Sequence, residues 1–103
     1  MLKKRNRIIS KKRIHDFAQD HPDSLVPLKK WMITVESGSF SNFQDLKSAF
    51  RAPDKVGKNV VFNIGANKFR LVAKVEFYET GATFFIRGLF THKAYDQQKI
   101  EKL

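Results

Sequence analysis

Four neighbouring side chains near the end of the chain have the types that general acid–base catalysis requires. His92, Lys93, Tyr95 and Asp96 supply an imidazole, an ammonium, a phenol and a carboxylate. Histidine changes its protonation near neutral pH, which makes His92 the natural base or acid of the set. Tyr95 could donate a proton or stack on a nucleobase, and Asp96 could orient the imidazole or accept a proton. The cluster therefore predicts proton-transfer chemistry and leaves open which of the four groups moves the proton.

Basic side chains on a preceding strand could bind the phosphate on which such a cluster would act. Residues 68 to 79 alternate between apolar and polar positions, which is typical of a strand with one buried face. Lys68, Arg70 and Lys74 fall on the polar side. Arginine offers a two-pronged fork to phosphate oxygens, and lysine offers a compact charge.

These residue types together suit the cleavage of RNA by its own 2′-hydroxyl group. That reaction needs a general base, a general acid and a cation that stabilises the phosphorane, and well-placed cations make a metal ion or other cofactor unnecessary. The histidines offer no pair with the spacing of metal ligands, so we expect no metal site. His15 and His21 have less claim to catalysis than His92, because they fall in a predicted helix and in a turn before Pro22.

Two short breaks in the pattern predict hairpins around this strand. Two-residue loops at positions 65–66 and 80–81 would join it to a strand on either side. Both loops place the same side of the sheet against the core, and Leu71 lies opposite Phe90 on that side. A slip by one residue would bury charge, so the pattern specifies the two faces.

The opposite side of the sheet, which we call the open face, collects the cations. In the predicted register Lys74 lies opposite Arg87, and Arg70 lies opposite Thr91. Like charges side by side destabilise a sheet, which favours a phosphate-binding role over a merely solvated face, although Glu76 offsets part of the charge. The predicted phosphate- or RNA-binding residues are Arg70, Lys74, Lys68, Lys58 and Lys55, the last two from a basic lead into the sheet.

The segments that precede the main strands predict helices, which would cover the apolar face of the sheet. Ser10 can cap a helix over residues 11 to 20, and a second helix runs over residues 24 to 36 with Pro27 in its first turn. Residues 7 to 9 could add an edge strand, and a short C-terminal helix follows the last strand. The chain is therefore predicted to be α+β, with two N-terminal helices on one face of an antiparallel sheet of three to four strands.

The charge of the chain indicates a polyanionic partner. Twenty Lys and Arg against ten Asp and Glu give a net charge of +10 and a pI near 10.1, for which nucleic acid is the first expected partner. The 103 residues suit one domain with a basic tail over residues 1 to 6. The absence of cysteine fits a reducing compartment, and no apolar run is long enough for a membrane span or a secretory signal. We therefore expect a cytoplasmic protein.

Each functional interpretation has a structural alternative. Tyr95 and Ile100 could be core contacts of an amphipathic C-terminal helix, with Asp96 near its first turn. The cations could belong to an ordinary solvated face. A binding protein without catalysis would use the same basic surface. A membrane-surface role is disfavoured, because the basic residues lie on a sheet rather than along one amphipathic helix.

Four runs of residues carry a resemblance to a known family. They are FQDLKSAF at 43 to 50, FNIGANKFRL at 62 to 71, IR at 86 and 87, and FTHKAYD at 90 to 96. Together they resemble the HigB toxins of type II toxin–antitoxin systems, in the RelE/ParE superfamily. The resemblance implies a single RelE-like domain over residues 1 to 103, with two N-terminal helices on a curved antiparallel sheet and a short C-terminal helix.

The resemblance also implies an activity and partners. It implies a ribosome-dependent endoribonuclease, an mRNA interferase, that cuts messenger RNA in the ribosomal A site beside ribosomal RNA and inhibits translation in the bacterial cytoplasm. It implies a HigA-type helix-turn-helix antitoxin, through which the toxin meets DNA only indirectly. The residues matched to the site are Arg70 and Arg87 for phosphate, and His92, Lys93, Tyr95 and Asp96 for the catalytic group. A ParE-like gyrase inhibitor or a plain RNA-binding domain is the competing interpretation.

Overall fold

The sheet comes mainly from the second half of the chain, and the first strand completes one of its edges. The computed structural model describes residues 5 to 96 and Leu103. In chain order the elements are β1 (Arg7–Ile9), α1 (Lys11–Asp20), a short 3-10 helix (Pro22–Ser24), α2 (Leu25–Ser37), α3 (Phe43–Ala49), β2 (Asp54–Val56), β3 (Asn59–Ile64), β4 (Phe69–Tyr78), β5 (Gly81–Thr91) and α4 (His92–Asp96). The predicted α+β class is confirmed.

The helices ahead of the sheet form where the apolar spacing predicts them, but the predicted cap of α1 is wrong, since the Ser10 side chain makes no cap hydrogen bond. The bounds of α1 match the prediction, and Ile14 and Ala18 on its inner side are buried. Leu28 and Trp31 are buried on α2. At the start of α3 the Asn42 side chain accepts a 3.0 Å hydrogen bond from a backbone N–H of the first turn.

The sheet has five strands in the order β1-β5-β4-β3-β2, rather than the three to four predicted. The prediction missed β2, because the sequence around Pro53 and Asp54 is typical of a turn. It pairs with β3 across a loop that contains Gly57, where φ is +61°. At the other edge β1 runs parallel to β5, while the remaining neighbours are antiparallel, so the sheet is mixed.

The segment before β1 is joined to the sheet. Arg5 donates its backbone N–H to the carbonyl oxygen of Thr80 at 2.8 Å, and the Asn6 side chain accepts a 2.9 Å hydrogen bond from the backbone of Ala82. These two residues were assigned to a basic tail by the sequence, and residues 1 to 4 lie outside the part of the chain that the structure describes.

The β4–β5 hairpin turns one residue earlier than predicted. Tyr78 pairs with Gly81, so the loop consists of residues 79 and 80. Gly81 has φ of +143°, and a Cβ atom there would overlap the Arg5 carbonyl group. The glycine is therefore required at the start of β5, where another strand approaches it, rather than inside the loop.

The β3–β4 hairpin turns one residue later than predicted. Its centre is Ala66 and Asn67, with φ of +52° and +76°, as a type I′ turn requires. The Lys68 N–H donates to the Gly65 carbonyl oxygen at 3.2 Å across the turn. Moving a turn by one residue shifts the strand register by two, and a shift of two keeps each side chain on its own face.

A bulge in β5 changes the face of the residues that follow it. Ala73 pairs with Ile86 and Val72 pairs with Gly88, so Arg87 is an extra residue without a partner on β4. The predicted pairing of Lys74 with Arg87 is therefore wrong, since Phe85 lies opposite Lys74.

Beyond the bulge the predicted faces are wrong as well. Arg70 lies opposite Phe90 instead of Thr91, and Leu71 lies opposite Leu89. Phe90, predicted to lie in the core, is consequently on the open face.

The core lies between the helices and one face of the sheet. Its largest fully buried side chains include Phe40, Phe62, Phe84 and Leu46. A second, smaller group on the open face, which we call the open-face apolar cluster, consists of Val61 and Val72 with Val56, Phe90, Tyr95 and Leu103 packed against them. Among the described residues, no helix is long and apolar enough to cross a membrane.

Candidate active site

Arg70 and Tyr95, two of the predicted site residues, are in contact. The guanidinium carbon of Arg70 lies 5.6 Å from the centre of the Tyr95 ring, within the range of a cation–π interaction. The same guanidinium donates hydrogen bonds to the carbonyl oxygens of Asn67 at 2.9 Å and Phe69 at 3.2 Å. Arg70 is therefore held at the β3–β4 turn while its charge remains beside the phenol ring.

The short helix α4 brings the predicted acid–base groups to this end of the sheet. The Thr91 hydroxyl oxygen accepts a 3.2 Å hydrogen bond from the Ala94 N–H, which caps the helix. The backbone N–H of His92 donates to the Lys68 carbonyl oxygen at 3.0 Å, which fixes the helix start beside the turn. His92 precedes Tyr95 by one turn, so their side chains occupy neighbouring positions on the helix.

The structure describes the other two predicted acid–base residues, Lys93 and Asp96, to different extents. Lys93 is exposed on α4. Asp96 is the last residue of that helix, and its side chain lies outside the described part of the structure, as does Ile100. Tyr95 is half-buried against Val61 and Val72. It therefore packs against apolar side chains, as the structural alternative predicted, and it also contacts Arg70.

Lys74 and Arg87 belong to a second group on the open face that has a carboxylate at its centre. A carboxylate oxygen of Glu76 lies 3.1 Å from the Lys74 ammonium nitrogen. The other carboxylate oxygen accepts a short hydrogen bond from the Tyr78 hydroxyl group. The Tyr78 hydrogen bond, followed by Lys74 and then Arg87, holds the pKa of Glu76 below its usual value. The same hydrogen bond raises the pKa of Tyr78, because it stabilises the protonated phenol.

The second group was only partly predicted. Glu76 was expected merely to offset the cations, and Tyr78 was assigned no role. The signal was available, since alternation along β4 places Lys74, Glu76 and Tyr78 on one side of the strand. The carboxylate makes the charge of this part of the open face mixed.

The other three predicted RNA-binding lysines lie at different places around the sheet. Lys68 reaches Asp23 of the 3-10 helix, with 3.7 Å between ammonium and carboxylate. Lys55 lies opposite Val60, a core residue, which places Lys55 on the helix side of the sheet at its edge. Lys58 is exposed in the β2–β3 loop.

The open face thus has an apolar centre with cations around it. Phe90 and Tyr95 belong to the open-face apolar cluster, with Arg70 directly opposite Phe90. Arg87 precedes Phe90 by three residues, roughly 10 Å along the strand. Such a surface can stack a nucleobase on aromatic rings and bind phosphates at its margin. Among the described side chains, no group of three or more histidines and carboxylates could hold a metal ion.

Comparison with known proteins places the chain in a family. A family model described as HigB_toxin, the RelE-like toxic component of a toxin–antitoxin system, matches residues 24–98. The chain belongs to the HigB toxin family. Curated relatives include the mRNA interferase toxin HigB of Escherichia coli strain K12 and the mRNA interferase HigB of Shigella flexneri, each 35% identical over 92 residues that cover 86% of both chains.

These findings confirm the family that the sequence motifs indicated. The prediction of an mRNA interferase agrees with the names that the HigB relatives carry. As the toxic component of a toxin–antitoxin system, the chain has an antitoxin as its partner. The five-stranded mixed sheet with N-terminal helices and a short C-terminal helix is consistent with the RelE-like fold. The roles of individual site residues stay predictions.

Proposed function

We propose that this HigB chain is a ribosome-dependent endoribonuclease that cleaves messenger RNA through the 2′-hydroxyl group without a metal ion. The observation that carries the proposal is the position of the Arg70 guanidinium over the Tyr95 ring, one helical turn from His92. A guanidinium group, which suits a phosphate, thus lies beside a phenol and one helical turn from the residue that carries the imidazole, and this supports the proposal. The names of the relatives support the activity.

The proposed reaction assigns one role to each of these groups. His92 accepts the proton of the 2′-hydroxyl group, whose oxygen attacks the adjacent phosphorus. Arg70 stabilises the charge of the phosphorane, and Tyr95 donates its proton to the departing 5′-oxygen. The products are a 2′,3′-cyclic phosphate and a 5′-hydroxyl end. Arg87, at the bulge, holds a further phosphate of the strand, and Lys93 and Asp96 lie beside the acting groups on α4.

The most direct experiment is induction of the wild type and variants, followed by mapping of messenger RNA ends by primer extension. We expect cuts within the reading frame of a reporter message and none in the same message without its start codon. Arg70→Ala and His92→Ala should lose the cuts, while Lys47→Ala, an exposed cation on α3, should retain them. Cuts in the untranslated message would contradict the ribosome dependence.

The chemistry can be tested separately on ribosomes programmed with a short message. The rate of cleavage should not depend on the free Mg²⁺ concentration over the range that keeps ribosomes intact, and the 5′ ends should accept a phosphate from polynucleotide kinase without prior phosphatase treatment. Growth arrest with intact messages and broken DNA would instead indicate a gyrase inhibitor. We also propose that the antitoxin is a HigA-type helix-turn-helix protein, which co-purification with the product of the neighbouring gene would test.

A further inference from the structure

A groove lies along the free edge of β3, beyond the residues that pair with β2. Lys30 and Trp31 of α2 border it on one side, Arg51 after α3 on another, and Asn63 of β3 lies along it. The cavity has a volume of about 410 Å³. A neighbouring cavity of about 480 Å³ shares Arg51 and Asn63 and extends to Asn67 in the β3–β4 turn. The two cavities share lining residues and therefore adjoin each other beside the turn that holds Arg70.

The charge of this groove is uncompensated. Lys30 and Arg51 are both exposed, and neither belongs to an ion pair among the described residues. None of the described residues that line the two cavities is acidic. By contrast Lys68 and Lys74, which the sequence suggested as phosphate ligands, are each within 4 Å of a carboxylate, at 3.7 Å and 3.1 Å. The groove is therefore better suited to an anion than those lysines are.

Trp31 contributes a largely buried aromatic side chain to the wall of the groove. It is only 4% exposed and is one of the residues that line the cavity. Its ring packs against Phe62 and Phe84 of the core, which fixes its position beside Lys30.

The groove adjoins the proposed cleavage site directly. Asn63, which lines it, lies opposite Arg70 in the β3–β4 register. Asn67, at its other end, accepts the 2.9 Å hydrogen bond from the Arg70 guanidinium. A strand of RNA whose scissile phosphate lies at Arg70 would pass over the turn and enter the groove with its next phosphates.

We propose that this groove is a phosphate subsite for the messenger RNA strand that flanks the cleaved nucleotide, with Lys30 and Arg51 as its cationic ligands. The inference rests on the proposed nuclease function and extends it. A positively charged groove is the feature with which proteins follow the backbone of a single strand without reading its sequence. The continuity with Arg70 favours RNA over an acidic segment of the antitoxin.

The test uses the full chain and a 2′-O-methylated RNA of about 12 nucleotides, which binds but lacks the attacking hydroxyl group. Fluorescence anisotropy of the labelled RNA gives its affinity. Arg51→Ala and Lys30→Ala should each weaken binding roughly three- to tenfold and reduce the slope of log affinity against log salt by about 0.7. The matched controls Lys47→Ala and Lys29→Ala, exposed lysines on α3 and α2, should change affinity less than twofold.

Trp31 gives a second readout because it is the single tryptophan of the chain. The fluorescence emission of Trp31 should change when the RNA binds the wild type. This change in emission should be smaller in the double variant Arg51→Ala/Lys30→Ala at saturating RNA. Inorganic phosphate alone should compete only at millimolar or higher concentration. Equal affinities for the groove variants and the controls, or binding without a change in Trp31 emission, would overturn the subsite.

Three further outcomes separate this proposal from its alternatives. If Arg51→Ala weakens binding of the antitoxin but leaves RNA binding intact, the groove serves the antitoxin and the RNA subsite is wrong. If the wild type cleaves no message on the ribosome while RNA binding depends on Arg51, the nuclease function fails and the groove remains. If the wild type cleaves the message and RNA binding is independent of Arg51, the subsite fails and the nuclease function remains.

Discussion

The Arg13 guanidinium of α1 donates a 2.7 Å hydrogen bond to the carbonyl oxygen of Ile86, at the residue before the β5 bulge. A second nitrogen of the same group donates to the carbonyl oxygen of Arg87 at 3.2 Å. A bulge interrupts the hydrogen-bond ladder of its strand and leaves backbone groups in need of partners. The helix side chain supplies those partners, and the Arg87 side chain remains exposed beside the open face.

Arg13→Ala should lower the free energy of unfolding by about 1 to 2 kcal/mol, because two carbonyl acceptors lose a charged donor. Arg13→Lys should retain part of this stability, since an ammonium can replace one of the two hydrogen bonds. Urea unfolding followed by circular dichroism measures both. Lys12→Ala, which removes an exposed ion pair on the same helix, is the control and should cost less than about 0.5 kcal/mol. Equal losses for Arg13→Ala and Lys12→Ala would show that the bulge does not depend on Arg13.

Tyr95→Phe should reduce the rate of RNA cleavage by roughly 10²- to 10⁴-fold while leaving the stability close to that of the wild type. The phenylalanine keeps the ring under the Arg70 guanidinium but lacks the proton that the proposed mechanism gives to the 5′-oxygen. Single-turnover cleavage on programmed ribosomes measures the rate. Tyr78→Phe, at the other tyrosine of the chain, is the control and should cleave at nearly the wild-type rate. A fully active Tyr95→Phe variant would show that another group is the general acid for the 5′-oxygen.

The carboxyl group of Glu76 should titrate below its ordinary value of about 4.5 in an NMR pH titration. Because its pKa is lowered by folding, Glu76 contributes stability above about pH 4.5, and this contribution is lost as the pH falls through the folded-state pKa. Tyr78→Phe should move the midpoint upward, since the Tyr78 hydrogen bond is the largest cause of the shift. Lys74→Ala should also move it upward, since the Lys74 ammonium lowers the same pKa by its hydrogen bond and its charge. An unchanged midpoint in Tyr78→Phe would exclude the hydrogen bond as the cause.

Asn42→Ala should lower the free energy of unfolding by about 1 kcal/mol, because the Asn42 side chain caps α3 with a 3.0 Å hydrogen bond. Ser10 occupies the same position before α1 but makes no side-chain cap hydrogen bond. Ser10→Ala is therefore the matched control and should change stability by less than about 0.5 kcal/mol. Thermal and urea unfolding of both variants provide the comparison, and equal effects would contradict the structural difference between the two caps.

The sequence was sufficient to predict most of the elements, although not β2, and it predicted the faces of the sheet correctly wherever an error in register preserved the alternation. Both hairpin turns were misplaced by one residue, yet Leu71 and Lys74 lie on the faces predicted for them, because a register shift of two leaves the faces unchanged. The bulge at Arg87 could not be predicted in this way. One extra residue reverses the alternation, and the reversal moved Phe90 from the predicted core to the open face.

The candidate site was predictable in its residue types but not in its grouping. Arg70, His92 and Tyr95 meet at one end of the sheet, as their order along the chain suggested. Arg87 and Lys74 instead gather around Glu76, because the bulge sets where Arg87 lies. The groove of Lys30 and Arg51 involves three separate elements, and neither strand alternation nor helix periodicity describes such a long-range arrangement.

The pairing of β1 with β5 determines when this protein can fold during its own synthesis. Asn6 and Ala82, joined by a hydrogen bond, are 76 residues apart in the chain. The first strand therefore emerges from the ribosome well before the strand beside which it lies has been made. Contacts of such long range form late in folding, after the loop between them has been closed. Translation of the toxin's own message must therefore pass β5 before the newly made chain has an intact open face.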